Sequence, residues 1–336
     1  MGARIDRQAV TLRDVAEAAG VSVSTASRVL DDRNSRSRSA TAERVRGVAD
    51  ELGYRRNAVA ANLRRGATGT IGVLVPRLTD AVMAQMFEAI ERAARQRGHF
   101  AVVATCGDEP DEERRATETL LDRNVDGVLL ATARIDDALP ASLREREVRH
   151  VLVLRTDGVS PSSLGDDETG GYLAVRHLVD LGHQEIAVVT GPWFTSSGQD
   201  RRTGAERALA EAGLTIGAER ILSVGYGIDD GIRSGHALLD RTDRPTAIFA
   251  ANDNLAIGVL SAAHSLGLEP GRDVSIVGYN DIPLAARLPV PLTSVHTPFE
   301  QIATTALEML LVDTSPSTPL RRALPTLIPR ASTTRA

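Results

Sequence analysis

The chain has 336 residues, of which 42% are hydrophobic, enough for two or three domains with a sizeable core. Its 39 basic residues, all arginine, face 44 acidic ones; the net charge of −5 argues against a nucleic-acid partner until it is resolved along the chain, where residues 1–66 carry +5 and the remainder −10. The single cysteine, Cys106, excludes an intrachain disulfide, and there is neither an apolar leader nor a stretch of about 20 apolar residues, so a cytoplasmic protein with no membrane partner is expected.

Residues 11–30, TLRDVAEAAGVSVSTASRVL, read as two short helices joined at Ala19, Gly20 and Val21. Leu12, Val15, Ala16 and Ala19 recur at helical spacing, Thr11 and Asp14 fit a capping-box variant, Gly20 permits a left-handed turn, and Ser22 suits a second N-cap. With Ala26, Val29 and Leu30 turned inward, the second helix presents Val23, Ser24, Ser27 and Arg28 outward, as a recognition helix does in a DNA major groove. Arg28 is the strongest base reader, since its planar fork can donate to both O6 and N7 of guanine. A loop carrying Arg33, Arg36 and Arg38, beside the awkward acid Asp31, leads to a third helix with Val45, Val48, Ala49 and Leu52 as its stripe. The next segment, Asn57 to Leu63, has helix-forming alanines but no core to bury its apolar side chains, so it needs a partner to form a helix.

Beyond the linker ending at Gly69, short apolar runs alternate with amphipathic helices. IGVLVP, FAVVAT, VDGVLLA and RHVLVL read as one set of buried strands, and EIAVVTG, ERILSVG, TAIFAAND and VSIVGYN as a second. FEAIERAARQRG, YLAVRHLVDLG and LAIGVLSAAHSLG read as intervening helices. Strand–helix alternation implies doubly wound parallel sheets, and two series imply two lobes with a ligand cleft at the carboxyl ends of the strands. Asn252 and Asn280 end two strands of the second series, and Arg201 stands where a helix begins, so these three are candidate ligand contacts. The C-terminal RRALPTLIPRASTTRA reads as one last strand and a mobile tail, without the apolar heptads of a tetramerising coiled coil.

Catalytic motifs are lacking. A chain without lysine has no G-x-x-x-x-G-K-[ST], Gly225-Tyr-Gly227 makes no phosphate loop, His177 and His183 lie outside metal-ligand spacing, and no serine sits in a G-x-S-x-G elbow. No cofactor, metal or enzymatic activity is expected.

From Thr11 to about Ser332 the chain resembles the lactose-repressor (LacI/GalR-type) transcription regulators. The resemblance rests on VS-x-x-T-x-SRVL, ADELGYRRNAVAANL, TGTIGVLVP, GHQEIAVVTGP, AANDNLAIGVL, SIVGYND and PLTSVHTP in this order. It implies an all-α helix-turn-helix headpiece over residues 1–56 and a hinge helix and linker over 57–69. Residues 70–336 would form a periplasmic-binding-protein-like body whose lobes exchange chain near 165 and 292. It further implies a homodimer that binds a near-palindromic DNA operator and answers to a small-molecule effector, a sugar or related metabolite, in the cleft. DNA contacts would fall to Thr11, Ser22, Val23, Ser24, Thr25, Ser27, Arg28, Arg33, Tyr54, Asn57, Ala60 and Leu63, with Leu63 wedging into the minor groove at the operator centre. Effector contacts would fall to Val82, Arg155, Trp193, Arg201, Asn252, Asn280 and Phe299.

The chain departs from the family pattern at the cleft. An aspartate is usual where Asn280 stands, Val82 replaces a frequent aromatic, and Leu154-Arg155 replaces a frequent Asp-Arg. Trp193, Phe194 and Phe299 would then either supply apolar or stacking surface or pack in the core, and Arg155 with Arg201 suits an anionic or polyhydroxyl ligand. The alternative reading is a cytoplasmic solute-binding or sensing module with incidental DNA affinity.

Overall fold

A computed structural model describes residues 10–30, 39–54, 68–312 and 320–336. Arg33, Asn57, Ala60 and Leu63, with Asp31, Arg36 and Arg38, lie outside the described residues. The chain divides into two units, Met1–Thr68 and Gly69–Ala336.

In the first unit, α1 (Leu12–Ala18) and α2 (Val23–Val29) pack against α3 (Ala40–Glu51). The capping box forms as the sequence predicts: Thr11 Oγ1 accepts from the Asp14 amide, and the Asp14 carboxylate accepts from the Thr11 amide at 2.7 Å. Gly20, at φ +65°, closes α1 while Val21 N donates to Ala16 O and Gly20 N to Glu17 O, so two otherwise orphaned carbonyls are satisfied and the chain turns at once into α2. Val15, Ala16, Ala19, Ala26, Val45 and Ala49 form a small core, to which Val29, Leu30, Val48 and Tyr54 lend partly buried surface. Leu52, expected in the stripe of the third helix, is exposed, because the helix stops at Glu51 and Leu52 is its C-cap. Arg44 Nε donates to Ala19 O at 3.1 Å and pins the turn to α3.

The second unit contains two six-stranded sheets. The first holds β1 (Thr70–Val75), β2 (Phe100–Thr105), β3 (Gly127–Leu130), β4 (His150–Val153), β5 (Ser162–Gly165) and β11 (Leu320–Ala323), all parallel, in the order β11-β5-β4-β3-β1-β2. The second holds β6 (Ile186–Thr190), β7 (Ile221–Ser223), β8 (Ala247–Ala250), β9 (Ser275–Asn280), β10 (Thr293–His296) and β12 (Thr326–Ile328) in the order β12-β10-β9-β8-β6-β7, parallel except for β12. Central strands are buried on both faces, which is why they read as unbroken Val, Ile, Leu and Ala runs.

The helices that follow these strands are α4 (Ala81–Gln96), α5 (Pro110–Asp122), α6 (Leu139–Glu145), α7 (Asp167–Asp180), α8 (Ser196–Glu211), α9 (Ile228–Leu239), α10 (Asp253–Ser265) and α11 (Phe299–Leu311). In α4, Val82, Met86, Ala89, Ile90 and Ala93 form the buried stripe that packs on α11.

The chain passes from the first lobe to the second after β5 at Gly165 and returns after His296, because β10 stays hydrogen-bonded to β9 with Thr293 opposite Val277. A third crossing separates β11 from β12, so the C-terminal segment supplies two strands, one to each lobe. Nor is the tail loose: Ser332 is fully buried, its amide donates to Pro291 O, its carbonyl accepts from Ile276 N, and Ala336 N donates to Leu181 O.

Candidate functional site

On the first unit, the outward face of α2 carries Val23, Ser24 and Arg28 in the open, with Val23 42% exposed although it is apolar. Thr25 and Ser27 are half-buried beside them. Ser22 caps the helix by accepting from the Thr25 amide at 3.1 Å, and its hydroxyl also meets Ser24 Oγ and Thr25 Oγ1 at 2.8 Å each. Thr11 is exposed at the start of α1, whereas Tyr54 leans on the core and is half-buried. A short helix thus offers one guanidinium without a partner among the described residues, an apolar tip and small hydroxyls on a three-helix support, the size and chemistry of a base-reading surface.

On the second unit, an open cavity, about 380 Å³ counting its solvent-filled mouth, lies at the carboxyl ends of strands from both sheets. The first lobe contributes Asp80, Val82 and Met83 from the loop after β1 and the start of α4, and Leu154 and Arg155 from the end of β4. The second contributes Ser197 and Arg201 from α8, Tyr226 after β7, Asn252 after β8 and Asn280 at the end of β9. The two lobes touch around it: Thr156 N donates to Ser196 Oγ at 2.9 Å, Asn254 Nδ2 to Asp80 Oδ1 at 3.3 Å, and Ile135 N to Phe194 O at 2.9 Å. The structure therefore brings Val82, Arg155, Arg201, Asn252 and Asn280 together around one cavity.

Trp193 and Phe299 are not among the lining residues. Trp193 is 65% exposed on the loop before α8, edge-on to Phe194, whose other face is covered by the Arg134 guanidinium at 3.7 Å. Phe299 opens α11 and is buried in the core, because α11 packs against α4 and β4. Ser197 and Tyr226 line the cavity without having been singled out, and Asp80, Met83 and Leu154 line it beside the expected contacts Val82 and Arg155. Tyr226 sits in the Gly225-Tyr-Gly227 stretch that fails as a phosphate loop; its position after a strand of the second series was the available signal.

The polar groups of the second-lobe wall are largely engaged with one another. Arg201 is 6% exposed; its Nε donates to Asp167 Oδ1 at 2.8 Å, its Nη1 to Ala251 O at 2.5 Å, and its guanidinium lies 3.8 Å from the centre of the Tyr279 ring. Burial works against its charge, but the Asp167 carboxylate beside it holds the guanidinium pKa above its ordinary value. This placement depends on α7 and α8 meeting backbone to backbone: a Cβ on Gly171 would overlap the Arg201 carbonyl, and one on Gly204 the Glu168 carbonyl. Asn252 caps α10 through its Oδ1, which accepts from Leu255 N at 2.7 Å, and its Nδ2 donates to Tyr226 O. Asn280, at φ +97°, donates to Thr297 Oγ1 at 3.1 Å.

The first-lobe wall is less settled. Arg155 is also 6% exposed, yet among the described residues it forms no hydrogen bond or ion pair; the Tyr226 ring lies 5.6 Å from its guanidinium, and the Asp80 and Glu113 carboxyls feel its charge. Asp80 caps α4 by accepting from the Val82 amide at 3.0 Å, and burial raises its carboxyl above the ordinary range, opposed by that amide and by Arg77, Asn254 and Arg155. Behind this wall Glu113 is buried and accepts from the Thr132 hydroxyl; burial lifts its carboxyl to about 7, with Thr132 pulling it down and the Asp137 charge adding to the rise.

Comparison with known proteins bears on both surfaces. Residues 11–57 match the model of bacterial regulatory proteins of the lacI family, and residues 175–333 that of a periplasmic binding protein-like domain. The chain is 32% identical over 304 residues to the HTH-type transcriptional repressor PurR of Vibrio vulnificus, and 33% identical over 307 residues to its counterpart in Vibrio parahaemolyticus; each alignment spans 90% of this chain and 91% of the relative. Among solved structures, the lac repressor dimer bound to operator and the anti-inducer ONPF is similar with a TM-score of 0.84 and 29% identity, over 97% of this chain and 100% of that one. The transcriptional regulator CelR in complex with cellobiose is similar with a TM-score of 0.73 and 30% identity, over 96% and 99%.

Proposed function

The chain belongs to the LacI family of bacterial regulatory proteins, and from that membership we propose that it is a ligand-responsive transcriptional repressor. It acts in the cytoplasm as a homodimer on a near-palindromic operator, with the α2 helices of two protomers reading two half-sites and the segment around Leu63 completing the contact. A small molecule in the inter-lobe cleft biases the lobe arrangement, and so changes operator affinity through its unequal affinity for two states. The lac repressor's dimer on operator and the CelR complex with cellobiose support the dimeric and effector-bound parts of this reading. The observation that carries the DNA-binding part is the face of α2, where Arg28, Val23 and Ser24 stand exposed on a capped helix whose turn is fixed from both sides.

The test starts from selection of duplex fragments retained by the full-length protein. On the selected operator, Arg28→Ala is expected to cost about 1–3 kcal/mol and to relax preference at one base position. Equal weakening on every sequence would assign Arg28 to phosphate, and unchanged affinity would overturn α2 as the reading helix.

A further inference from the structure

Taking the inter-lobe cavity as the effector site, as proposed above, we infer that the effector carries an oxyanion group, phosphate or carboxylate, and that Arg155 is its partner. The two arginines of the cavity are equally buried but are not equivalent. Arg201 is already neutralised by Asp167 and hydrogen-bonded to the Ala251 carbonyl, so it needs no ligand to be stable where it is. Arg155 has no such partner among the described residues. A buried guanidinium is costly unless a counter-charge or acceptors meet it, and a ligand oxyanion in the cavity supplies both in the bidentate geometry that arginine favours.

The rest of the lining points the same way. Three long helices, α4, α8 and α10, begin at the cavity: Val82 and Met83 lie in the first turn of α4, Ser197 in that of α8, and Asn252 is the N-cap of α10. Helix starts carry partial positive charge and favour an anion nearby. The acceptors that a neutral polyol would want are partly taken, since Asn252 Oδ1 caps α10 and Asp80 Oδ1 accepts from both the Val82 amide and Asn254. Asp80 is the one lining carboxylate among the described residues and opposes an anion, but its Oδ1 is turned into the start of its own helix. Glu113, the other carboxyl that feels Arg155, is held by Thr132 and Asp137 and is lifted toward its neutral form by burial.

The experiment is calorimetric titration of the full-length protein with inorganic phosphate and, separately, acetate, at an ionic strength fixed with chloride, for wild type, Arg155→Gln and Arg155→Lys. Saturable binding is expected for at least one anion, weakened by about tenfold or more in Arg155→Gln and by less in Arg155→Lys, since a hydrogen bond to a charged group is worth that much. Phosphate alone would identify a phosphoryl group, acetate alone a carboxylate. No saturable binding of either anion, or binding unchanged in Arg155→Gln, overturns the inference. Failure of the cavity reading looks different. An effector identified by its action on operator affinity would then act equally on wild type and on Ser197→Trp, which fills the cavity. A neutral effector that Ser197→Trp blocks would keep the cavity and overturn only the oxyanion.

Discussion

The two walls of the cleft are built from similar residues and differ in how completely they satisfy themselves. On the second-lobe wall, Arg201 has a carboxylate, a carbonyl and an aromatic face, and Asn252 has both its polar atoms engaged. On the first-lobe wall, Arg155 is as deeply buried and, among the described residues, has the Tyr226 ring at 5.6 Å but no carboxylate or carbonyl hydrogen-bonded to it. Position in a cleft therefore does not decide a residue's role. The tally of its partners does: a group already satisfied by its own lobe holds the fold, and a buried group left over is available to a ligand.

The largest effect expected from this contrast is at Arg201. Arg201→Ala leaves Asp167 buried and uncompensated, and should cost about 3–5 kcal/mol in denaturant unfolding, whatever it does to effector response. Replacing both partners with apolar residues, Arg201→Met with Asp167→Leu, should recover much of that loss. A cost below about 1 kcal/mol would show that the second-lobe wall is not self-supporting, and the contrast would fail.

An intermediate effect is expected behind the first-lobe wall. Glu113 has a folded-state pKa of about 7, above its ordinary value of 4.5, so its contribution is complete below about pH 4.5 and is lost as pH rises through about 7. Asp253, lifted to about 7 by burial in the second lobe, acts with the same sign. Glu113→Gln should remove only the first of these: its unfolding free energy should fall by about 1–3 kcal/mol less than that of wild type between pH 5 and pH 8. Identical pH profiles would mean that Glu113 titrates normally.

The smallest effect is expected at Arg155. Because no carboxylate or acceptor among the described residues is hydrogen-bonded to it, Arg155→Gln should change stability by less than about 1 kcal/mol, in either direction, when measured without ligand. A loss approaching that of Arg201→Ala would reveal a structural partner and erase the difference between the walls.

Much of this molecule is readable one element at a time. The Thr11–Asp14 capping box, the Gly20 turn and the 3–4 spacing of Val15, Ala16 and Ala19 fix α1 and the turn into α2 with contacts no more than a few residues apart. The apolar strands announce themselves because both faces are buried, and Asn252 and Asn280 follow from where such strands stop. By contrast β5, Ser162–Gly165, has no apolar run. Its serines are buried through hydrogen bonds, Ser162 Oγ to Ser160 O and Ser163 Oγ to Ile302 O, and the second of these lies 139 residues away. The tail reads as free in sequence for the same reason, since its anchors at Pro291, Ile276 and Leu181 are distant along the chain.

What the sequence determined by itself is everything that depends on neighbours along the chain: helix caps, turn conformation, strand composition, the family and hence the two kinds of surface. What only the tertiary structure decided is which polar group meets which. Arg201 finds Asp167 across 34 residues and the Ala251 carbonyl across 50, while Arg155, also buried, finds none of the described residues within hydrogen-bonding reach. Hydrogen bonds and ion pairs act over about 3 Å, so a partner is set by how whole helices pack, here by glycines that let α7 and α8 touch. No periodicity or spacing within one segment encodes that distance.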